Sequence, residues 1–480
     1  MSRRLLVPAL ALLLFAPAVR ADAAGDQRLV EAARNRDAAA VAALLKARVD
    51  PNAAQPDGGT ALHWTAQWDD LATARLLVSA KARVGVANDY GMTPLSLAAT
   101  NGSAGMIALL LKAGANPNTA LPSGETPLMT AARTGSVPAV KTLLGAGANI
   151  HATEAAKGQT ALMWAVAERH GDVVRALLEA GADVKAASAS GFTPLLFAVR
   201  MGDIDLVKLF LDKGADIESA AKDGSTPLAI ATVRGHVALA EWLLERGADP
   251  DKDSIGYTPL HWAAGTFDTM STKEYTPEDG EWSSLAGIPD RAAKRRLILA
   301  LLARGASVNA RVKGRLPRFG YSLGGGSIVG GGSYAGATPF FLASTVADME
   351  TMRLLLAHGA NPNIATNDGT TPLLATAGIS IVEAETSTTE AQLLDALKLM
   401  MSLGNDIMAA NDAGTTALHV TAYVGFNVIA KFLVDQGVPM NAKDRRGQTP
   451  LKIASGIPMS GMFYAQPKTA ELLRSLGASE

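Results

Sequence analysis

The stretch "GMTPLSLAATNG", residues 91–102, carries the signals that decide the fold. A glycine two residues before a threonine suits a tight turn, because glycine accepts the positive φ that turns often need. Threonine is a good helix N-cap, and proline at the next position already has the φ of a helix. The alanines that follow are small enough to let a neighbouring helix approach. The stretch therefore predicts a turn followed by a short, closely packed helix.

The same signal recurs along the chain. Glycine-x-threonine followed by proline or alanine has its threonine at Thr60, Thr93, Thr126, Thr160, Thr193, Thr226, Thr258, Thr338, Thr371, Thr416 and Thr449. Most neighbours in this series are about 33 residues apart, and a second mark follows about 21 residues later, as in "LLKAGANPN" at 110–118. Its glycine suits the end of a second helix. Each unit cannot cover its own apolar face, so neighbouring units must stack.

Two further copies, "GYTPLHWAAG" at 256–265 and "GTTALHVTAYVG" at 414–425, make the pattern recognisable. They resemble the ankyrin repeat, whose motif is Thr-Pro-Leu-His followed by alanines. The resemblance covers roughly residues 26–480 and implies an all-α ankyrin-repeat solenoid of about twelve helix-turn-helix units with short β-hairpin turns. We predict an N-terminal capping repeat at 22–52, regular repeats at 53–267, two insertions flanking one repeat helix at 268–335, and repeats with a C-terminal cap at 336–480.

Composition and motifs argue against most enzymatic classes. The chain has 44 basic and 45 acidic side chains, which is not the balance of a nucleic-acid-binding protein. It has no cysteine, so disulfides, thiolate nucleophiles and cysteine metal sites are excluded. We find no nucleophile elbow and no zincin spacing of histidines. We therefore predict no catalytic residues, no cofactor and no metal.

The N-terminal stretch at positions 1–21, "MSRRLLVPALALLLFAPAVRA", has the anatomy of a secretory signal peptide. Two arginines precede an apolar run from Leu5 to Ala16, and Val19 and Ala21 are placed for cleavage after Ala21. The run is shorter than the roughly 20 residues that span a bilayer. We predict export to a bacterial periplasm, or secretion, with no stable membrane anchor after cleavage. The alternative is an anchor that is retained.

The period breaks in three places. The long interval between Thr258 and Thr338 contains one repeat with two insertions. The first insertion, of about 26 residues, lies between the two helices of that repeat, and the second, of about 21 residues, follows Asn309. A third insertion, of about 12 residues, interrupts the Thr371 repeat. The second insertion includes "RFGYSLGGGSIVGGGSYAG" at 318–336, which loosely fits a dinucleotide fingerprint but lacks the preceding strand and the ribose-binding acid. It is either a partner-binding finger or an idle surface insertion. The basic and aromatic candidates in it are Arg315, Arg318, Phe319 and Tyr321.

The resemblance also implies which side chains meet a partner: hairpin residues beside the turn glycine, and the exposed end of each first helix. The predicted hairpin contacts are Tyr90, Met92, Glu125, Phe192 and Tyr257, and the predicted helix contacts are Gln67, Trp68, Arg133, Arg169, Arg200, Met201 and Arg234. The four arginines come from successive repeats and predict a basic stripe for an acidic or extended peptide. The alternative is that Glu168, Asp172 and Asp203 neutralise them.

Other aromatic and histidine positions favour structural roles. Tryptophans four residues after the repeat threonine predict packing between helices, whereas Trp68 is the candidate for an exposed anchor. The packing positions are Trp64, Trp164 and Trp262. The resemblance implies that His63, His261 and His419 hydrogen-bond locally and brace the turn.

Taken together, these features predict a non-catalytic module that binds a protein or peptide partner and no nucleic acid. Two alternatives remain open. One is a structural scaffold that associates with itself, and the other is an enzyme whose site is formed by the insertions.

Overall fold

The computed structural model of this 480-residue chain describes residues 26–254, 256–265, 288, 290–313, 334–379, 388–459 and 462–479. The predicted signal peptide and most of the three insertions lie outside the described residues, and so do Arg315, Arg318, Phe319 and Tyr321. The chain forms two compact units, one ending at Ala152 and the other beginning at Thr153. Among the described helices, none combines the length and the apolar character that crossing a membrane requires.

The described residues of the first unit form four helix pairs. Its first helices are α1 (Arg28–Arg34), α3 (Ala61–Gln67), α5 (Pro94–Thr100) and α7 (Pro127–Thr134), and its second helices are α2 (Ala38–Lys46), α4 (Leu71–Ser79), α6 (Ala104–Lys112) and α8 (Val137–Gly145). First helices pack on first helices and second helices on second helices, in chain order. The unit is therefore a stack of repeats.

In the second unit, eight helix pairs are formed by the residues that the structure describes. Its first helices are α9 (Ala161–Ala167), α11 (Pro194–Arg200), α13 (Pro227–Val233), α15 (Pro259–Ala264), α17 (Pro339–Ser344), α19 (Pro372–Leu374), α21 (Ala417–Val424) and α23 (Pro450–Ser455). Its second helices are α10 (Gly171–Glu179), α12 (Ile204–Asp212), α14 (Val237–Glu245), α16 (Arg291–Ala303), α18 (Met349–Ala357), α20 (Glu390–Ser402), α22 (Asn427–Asp435) and α24 (Pro467–Ser475). The predicted all-α fold of about twelve helix-turn-helix units is confirmed.

The repeat threonine precedes each first helix from α3 onward, as predicted, whereas α1 follows Gln27. The Thr93 hydroxyl accepts a hydrogen bond from the Ser96 N–H at 3.1 Å, and the Thr338 hydroxyl accepts one from the Phe341 N–H at 3.1 Å. Each bond satisfies a backbone donor that has no partner within the helix. The alanines that follow, such as Ala98, are fully buried, so neighbouring helices can approach closely.

Successive hairpin tips are joined by backbone hydrogen bonds. The Asp89 N–H donates to the Asp57 carbonyl at 2.8 Å, and the Lys222 N–H donates to the Ser190 carbonyl at 3.0 Å. This close approach explains the turn glycine. Gly191 has a φ of +84°, and a Cβ at that position would lie 2.7 Å from the Lys222 nitrogen. A side chain there would both strain the turn and push the next hairpin away.

The helices next to the insertions differ from the others. Helices α16 and α20 each follow an insertion and have 13 residues, whereas α18 has nine. Helix α20 begins with a capping box in which Thr389 and Gln392 bond each other's backbone N–H groups. Helix α19 continues into a π-helical segment, Ala375–Ile379. The insertions that precede α16 and α20 therefore each end in an extra helical turn, which repeat counting did not reveal.

The described residues also contain a small amount of β-structure. Isolated bridges such as Ala54 with Thr60 close the predicted hairpins. In the last repeat, β1 (Ile457–Met459) pairs antiparallel with β2 (Met462–Tyr464). The repeat pattern does not predict this hairpin between α23 and α24.

Candidate interaction surface

Side chains of a hairpin contact the first helix of the same repeat. Residues predicted as hairpin contacts therefore lie next to residues predicted as helix contacts. Glu125 accepts a hydrogen bond from the Thr130 hydroxyl at 2.7 Å and lies 3.4 Å from a guanidinium nitrogen of Arg133. The guanidinium of Arg200 lies 6.0 Å from the ring centroid of Phe192. Two predicted hairpin residues are therefore partners of two predicted helix residues.

The predicted basic stripe has internal contacts along its length. The Arg169 guanidinium donates to the Met201 carbonyl at 2.5 Å, and the Arg200 guanidinium also lies 5.4 Å from the Phe197 ring centroid. Among the acids proposed to neutralise the stripe, Asp172 pairs with Arg175 and Asp203 caps α12. Arg133 belongs to the first unit and the other three arginines to the second. That the four act as one stripe stays a prediction.

Several first helices receive a hydrogen-bond donor at their carbonyl end from a neighbouring repeat. Four of the five carbonyls belong to the last residue of a first helix and have no partner within it, and the fifth, that of Gly102, lies just beyond α5; the donors therefore join neighbouring repeats at these helix ends. The pairs are Trp68 Nε1 to the Arg34 carbonyl (3.1 Å), Asn101 Nδ2 to the Gln67 carbonyl (2.9 Å), Ser136 Oγ to the Gly102 carbonyl (2.7 Å), His236 Nε2 to the Arg200 carbonyl (3.1 Å), and Lys294 Nζ to the Ala264 carbonyl (3.2 Å). The N–H of the predicted anchor Trp68 therefore has a structural role.

Two predicted contact residues are buried, and their assignment as exposed contacts is wrong. Phe192 and Tyr257 directly precede the repeat threonine, and in these two repeats the ring packs on helix residues and is almost fully buried. The Tyr257 ring lies 5.0 Å from that of Trp262 and 5.8 Å from that of His261, measured between centroids. Burial raises the pKa of Tyr257. Trp262 is buried too, as its predicted packing role requires.

The other predicted contacts reach solvent to different degrees. Tyr90, at a hairpin tip, has 66% of its surface exposed, and Trp68 has 37%. Arg133 and Arg169 are exposed. The half-buried residues are Gln67, Met92, Arg200, Met201 and Arg234. Among the predicted contacts that the structure describes, Tyr90 is therefore the most exposed large hydrophobic side chain.

The histidines of the Thr-Pro-Leu-His slot brace two hairpins each. Nδ1 of His63 accepts from the Thr60 N–H at 3.1 Å, and Nε2 lies 3.0 Å from the Met92 carbonyl in the next hairpin. His419 makes the equivalent contacts with Thr416 and Gln448. Burial lowers the pKa of both rings. The structural role implied by the resemblance is confirmed.

His261 occupies the same slot at the base of the glycine-rich insertion. Its Nε2 lies 3.0 Å from the Ala310 carbonyl and 3.3 Å from the Ala337 carbonyl, so one ring holds the chain on both sides of the insertion. Val312 and Ala337 are joined by a backbone hydrogen bond of 2.9 Å. The Lys313 ammonium donates to Asp253 at 2.7 Å. The insertion thus starts from a fixed base.

A group that sequence reasoning missed lies on the first two repeats. The guanidinium carbon of Arg34 lies 5.4 Å from the Trp64 ring centroid, and that of Arg36 lies 4.4 Å from the Trp68 ring centroid. The capping repeat lacks the threonine motif, so its side chains were not aligned with the others. Counting one repeat length back from Gln67 and Asp69 would have identified Arg34 and Arg36 as groove positions.

No group of three histidine, aspartate or glutamate side chains that could hold a metal ion occurs in the part of the chain that the structure describes. The polar groups of this surface instead cap helices and join hairpins, as the contacts above show.

Two family descriptions match the sequence. "Ankyrin repeats (3 copies)" matches residues 29–121, 114–188, 195–271 and 388–475, and "Ankyrin repeat" matches residues 335–367. Among solved structures, the chain is similar to the one titled "Crystal structure of the ankyrin repeat domain of Bcl-3: a unique member of the IkappaB protein family". The identity is 31%, the match covers 42% of this chain and 93% of that chain, and the TM-score is 0.39.

Proposed function

Because this chain belongs to the ankyrin repeat family, whose repeats generally mediate protein–protein interaction, we propose that it is an exported, non-catalytic module that binds a protein or peptide partner. The partner lies along the hairpin tips and the exposed ends of the first helices. The surface is built from repeats, so several neighbouring repeats contribute contacts to one extended ligand.

The observation that carries this proposal is the exposure of Tyr90. Its ring stands in solvent at a hairpin tip, where the equivalent residues of other repeats include Ser123 and Ser190. Tyrosine is enriched at protein interfaces because it offers a large, rigid, amphipathic area at a low entropic cost. Such a ring on a position that otherwise carries a small polar side chain favours a partner contact.

The non-catalytic part of the proposal is supported by the histidines. In His63, Nδ1 accepts from Thr60 and Nε2 faces the Met92 carbonyl, so both ring nitrogens are engaged. His261 and His419 are engaged in the same manner. A general base needs a nitrogen that can reach a substrate proton. These three rings therefore serve the fold.

Photocrosslinking tests the binding surface. We expect that a benzophenone amino acid at position 90 traps a discrete partner in extract from the organism's own envelope fraction. The matched control places the same group at Leu76, which is exposed on the second helix α4 rather than on a hairpin. A partner trapped equally at both positions, or at neither, would contradict the proposal.

The export part of the proposal rests on residues 1–21 and has its own test. We expect the mature protein to begin at Asp22 and to fractionate with the periplasm or the medium. Leu12→Arg interrupts the apolar run and should leave the full-length chain inside the cell. Leu76→Arg, outside the run, is the control. N-terminal sequencing and intact mass distinguish the results, and an uncleaved wild-type chain would refute cleavage.

A further inference from the structure

The first two repeats carry an arginine–tryptophan patch, formed by Arg34, Arg36, Trp64 and Trp68. The two indole rings are stacked, with centroids 5.9 Å apart and planes inclined by 26°. Each ring has one guanidinium nearby, at 5.4 Å for Arg34 with Trp64 and 4.4 Å for Arg36 with Trp68. Both distances are in the range of cation–π attraction. The four side chains therefore form one connected group.

The two rings of the patch are held in place by their N–H groups. Trp64 Nε1 donates to Gln55 Oε1 on the hairpin at 3.0 Å, and Trp68 Nε1 donates to the Arg34 carbonyl at 3.1 Å. Rings held in this manner keep their orientation, so a ligand that packs on them loses little conformational freedom in the protein.

The two guanidinium groups are positioned but not neutralised. Arg34 and Arg36 are exposed, and neither forms an ion pair with any residue that the structure describes. Other arginines of the chain have carboxylate partners, as in Arg133 with Glu125 and Arg296 with Glu241.

Two aspartates near the patch in sequence have other roles. Asp37 accepts from the Ala40 N–H at 2.8 Å, and Asp70 accepts from the Thr73 N–H at 3.0 Å, so each caps a second helix. A guanidinium that lies near a ring and has no ion-pair partner keeps N–H donors available, and these donors match the two oxygens of a carboxylate.

We propose that the arginine–tryptophan patch binds an acidic, extended segment of the protein partner. Carboxylates of the segment pair with the edges of Arg34 and Arg36, and an apolar side chain between them packs on the exposed part of Trp68. The inference deepens the proposed function, on which it rests, by naming the chemistry of the partner. It also places the binding site for an acidic segment on the first two repeats rather than on the predicted arginine stripe, in which Arg133 is already paired with Glu125.

A nucleic acid is the less suitable polyanion. The chain has 44 basic and 45 acidic residues, and binding along a phosphate backbone requires many cations on one face. A pair of guanidinium groups beside an apolar surface instead suits a ligand in which carboxylates alternate with apolar side chains. The carboxylate is therefore the chemistry that the patch fits.

The test is fluorescence anisotropy with the full chain and a labelled peptide in which glutamate alternates with leucine and proline. We expect Arg36→Gln and Arg34→Gln each to weaken binding roughly tenfold, because each removes a charge-assisted hydrogen bond. The matched control is Arg246→Gln. Arg246 is also exposed and lies 4.7 Å from a tryptophan ring, that of Trp242, but at the C-cap of helix α14 in the second unit.

The glutamate peptide is compared with its glutamine counterpart and with a single-stranded oligonucleotide. Preference for glutamate, lost in the Arg34 and Arg36 variants and kept in Arg246→Gln, supports the inference. Any of four results overturns the inference: equal binding of the glutamate and glutamine peptides, an equal loss of affinity in Arg246→Gln, tighter binding of the oligonucleotide, or no binding of the peptide by the wild type. None of these results alters the crosslinking at position 90, so failure of this inference is distinguishable from failure of the proposed function.

Discussion

Lowering the pH from about 6.5 to about 4 is expected to destabilise the second unit by roughly 3 kcal/mol through His261 alone. Burial lowers the pKa of this ring from 6.5 to about 4, although its hydrogen bonds to the Ala337 and Ala310 carbonyls and the charges of Asp251 and Asp253 oppose the shift. Between these two pH values the unfolded chain binds the proton and the folded chain does not. Stability from this group is therefore complete above pH 6.5 and is lost as the pH falls to 4.

The donor that faces Nδ1 of His261 acts in the same direction as burial and also disfavours the proton. The Thr258 N–H, which can only donate, points at Nδ1 of His261 at 3.1 Å. Nε2 faces two carbonyls, so it must carry the hydrogen of the neutral ring. A second proton would sit on Nδ1 and oppose the Thr258 N–H. Protonation therefore loosens the start of α15 and the base of the glycine-rich insertion together.

Urea unfolding at several pH values tests this result. His261→Gln removes the titrating ring, so the difference in unfolding free energy between wild type and variant should shrink by roughly 3 kcal/mol between about pH 7 and about pH 4. His151→Gln, at an exposed position, is the control and should show no such change. If the unfolding free energies of the wild type and the variant differ by the same amount at every pH, the proposed role of His261 is refuted.

Removing the charge of Asp348 is expected to cost about 3 kcal/mol, because Lys294 would remain buried without its counter-ion. The Lys294 ammonium donates to Asp348 at 2.8 Å and to the Ala264 carbonyl at 3.2 Å, and so connects helices α15, α16 and the start of α18. Burial alone would raise the pKa of Asp348, but the charge of Lys294 and the hydrogen bonds from Lys294 and Thr351 outweigh it and hold the pKa below its ordinary value.

Asp348→Asn is the appropriate change, since asparagine still caps α18. The matched control is Asp435→Asn, which breaks a pair of nearly equal length, 2.9 Å with Lys431. The side chains of that pair are 55% and 51% exposed, against 11% and 26% for Lys294 and Asp348, so we expect a loss of at most about 0.5 kcal/mol. Combining Asp348→Asn with Lys294→Met should recover most of the lost stability.

Denaturant unfolding and hydrogen exchange of α16 and α18 measure these effects. Equal losses for Asp348→Asn and Asp435→Asn would show that burial of the first pair is energetically unimportant. Failure of the double variant to recover stability would instead show that an unpaired, buried Lys294 ammonium is not the source of the loss.

The periodic features of this protein were predictable because they are local. Threonine, proline and glycine act on their own turn and helix, so Thr93 and Gly191 could be assigned from their neighbours in sequence. The extra turns of α16 and α20 and the hairpin of the last repeat were not predicted. They lie in segments outside the period, where repeat counting offers no reference.

The candidate site was predicted less completely. Position in the repeat placed Tyr90 and Trp68 at the surface correctly, but it placed Tyr257 there as well. Whether an aromatic residue before the repeat threonine faces solvent depends on the side chains below it, and here Trp262 and His261 offer a packing surface. Arg34 and Arg36 were missed because the capping repeat lacks the motif that would have aligned it.

The sequence alone determined the stacking of helix pairs and the hairpin turns, since each follows from residues within one repeat and its repetition. The structural role of the histidines was implied by the resemblance to the ankyrin repeat. Only the tertiary structure decided which charged and aromatic groups are paired, packed or left exposed. Arg133 has Glu125 as a partner, whereas Arg34 and Arg36 lie on tryptophan rings with their N–H edges directed to no described carboxylate. The physical reason is that pairing and burial depend on side chains of neighbouring repeats, which are distant in sequence and adjacent in space.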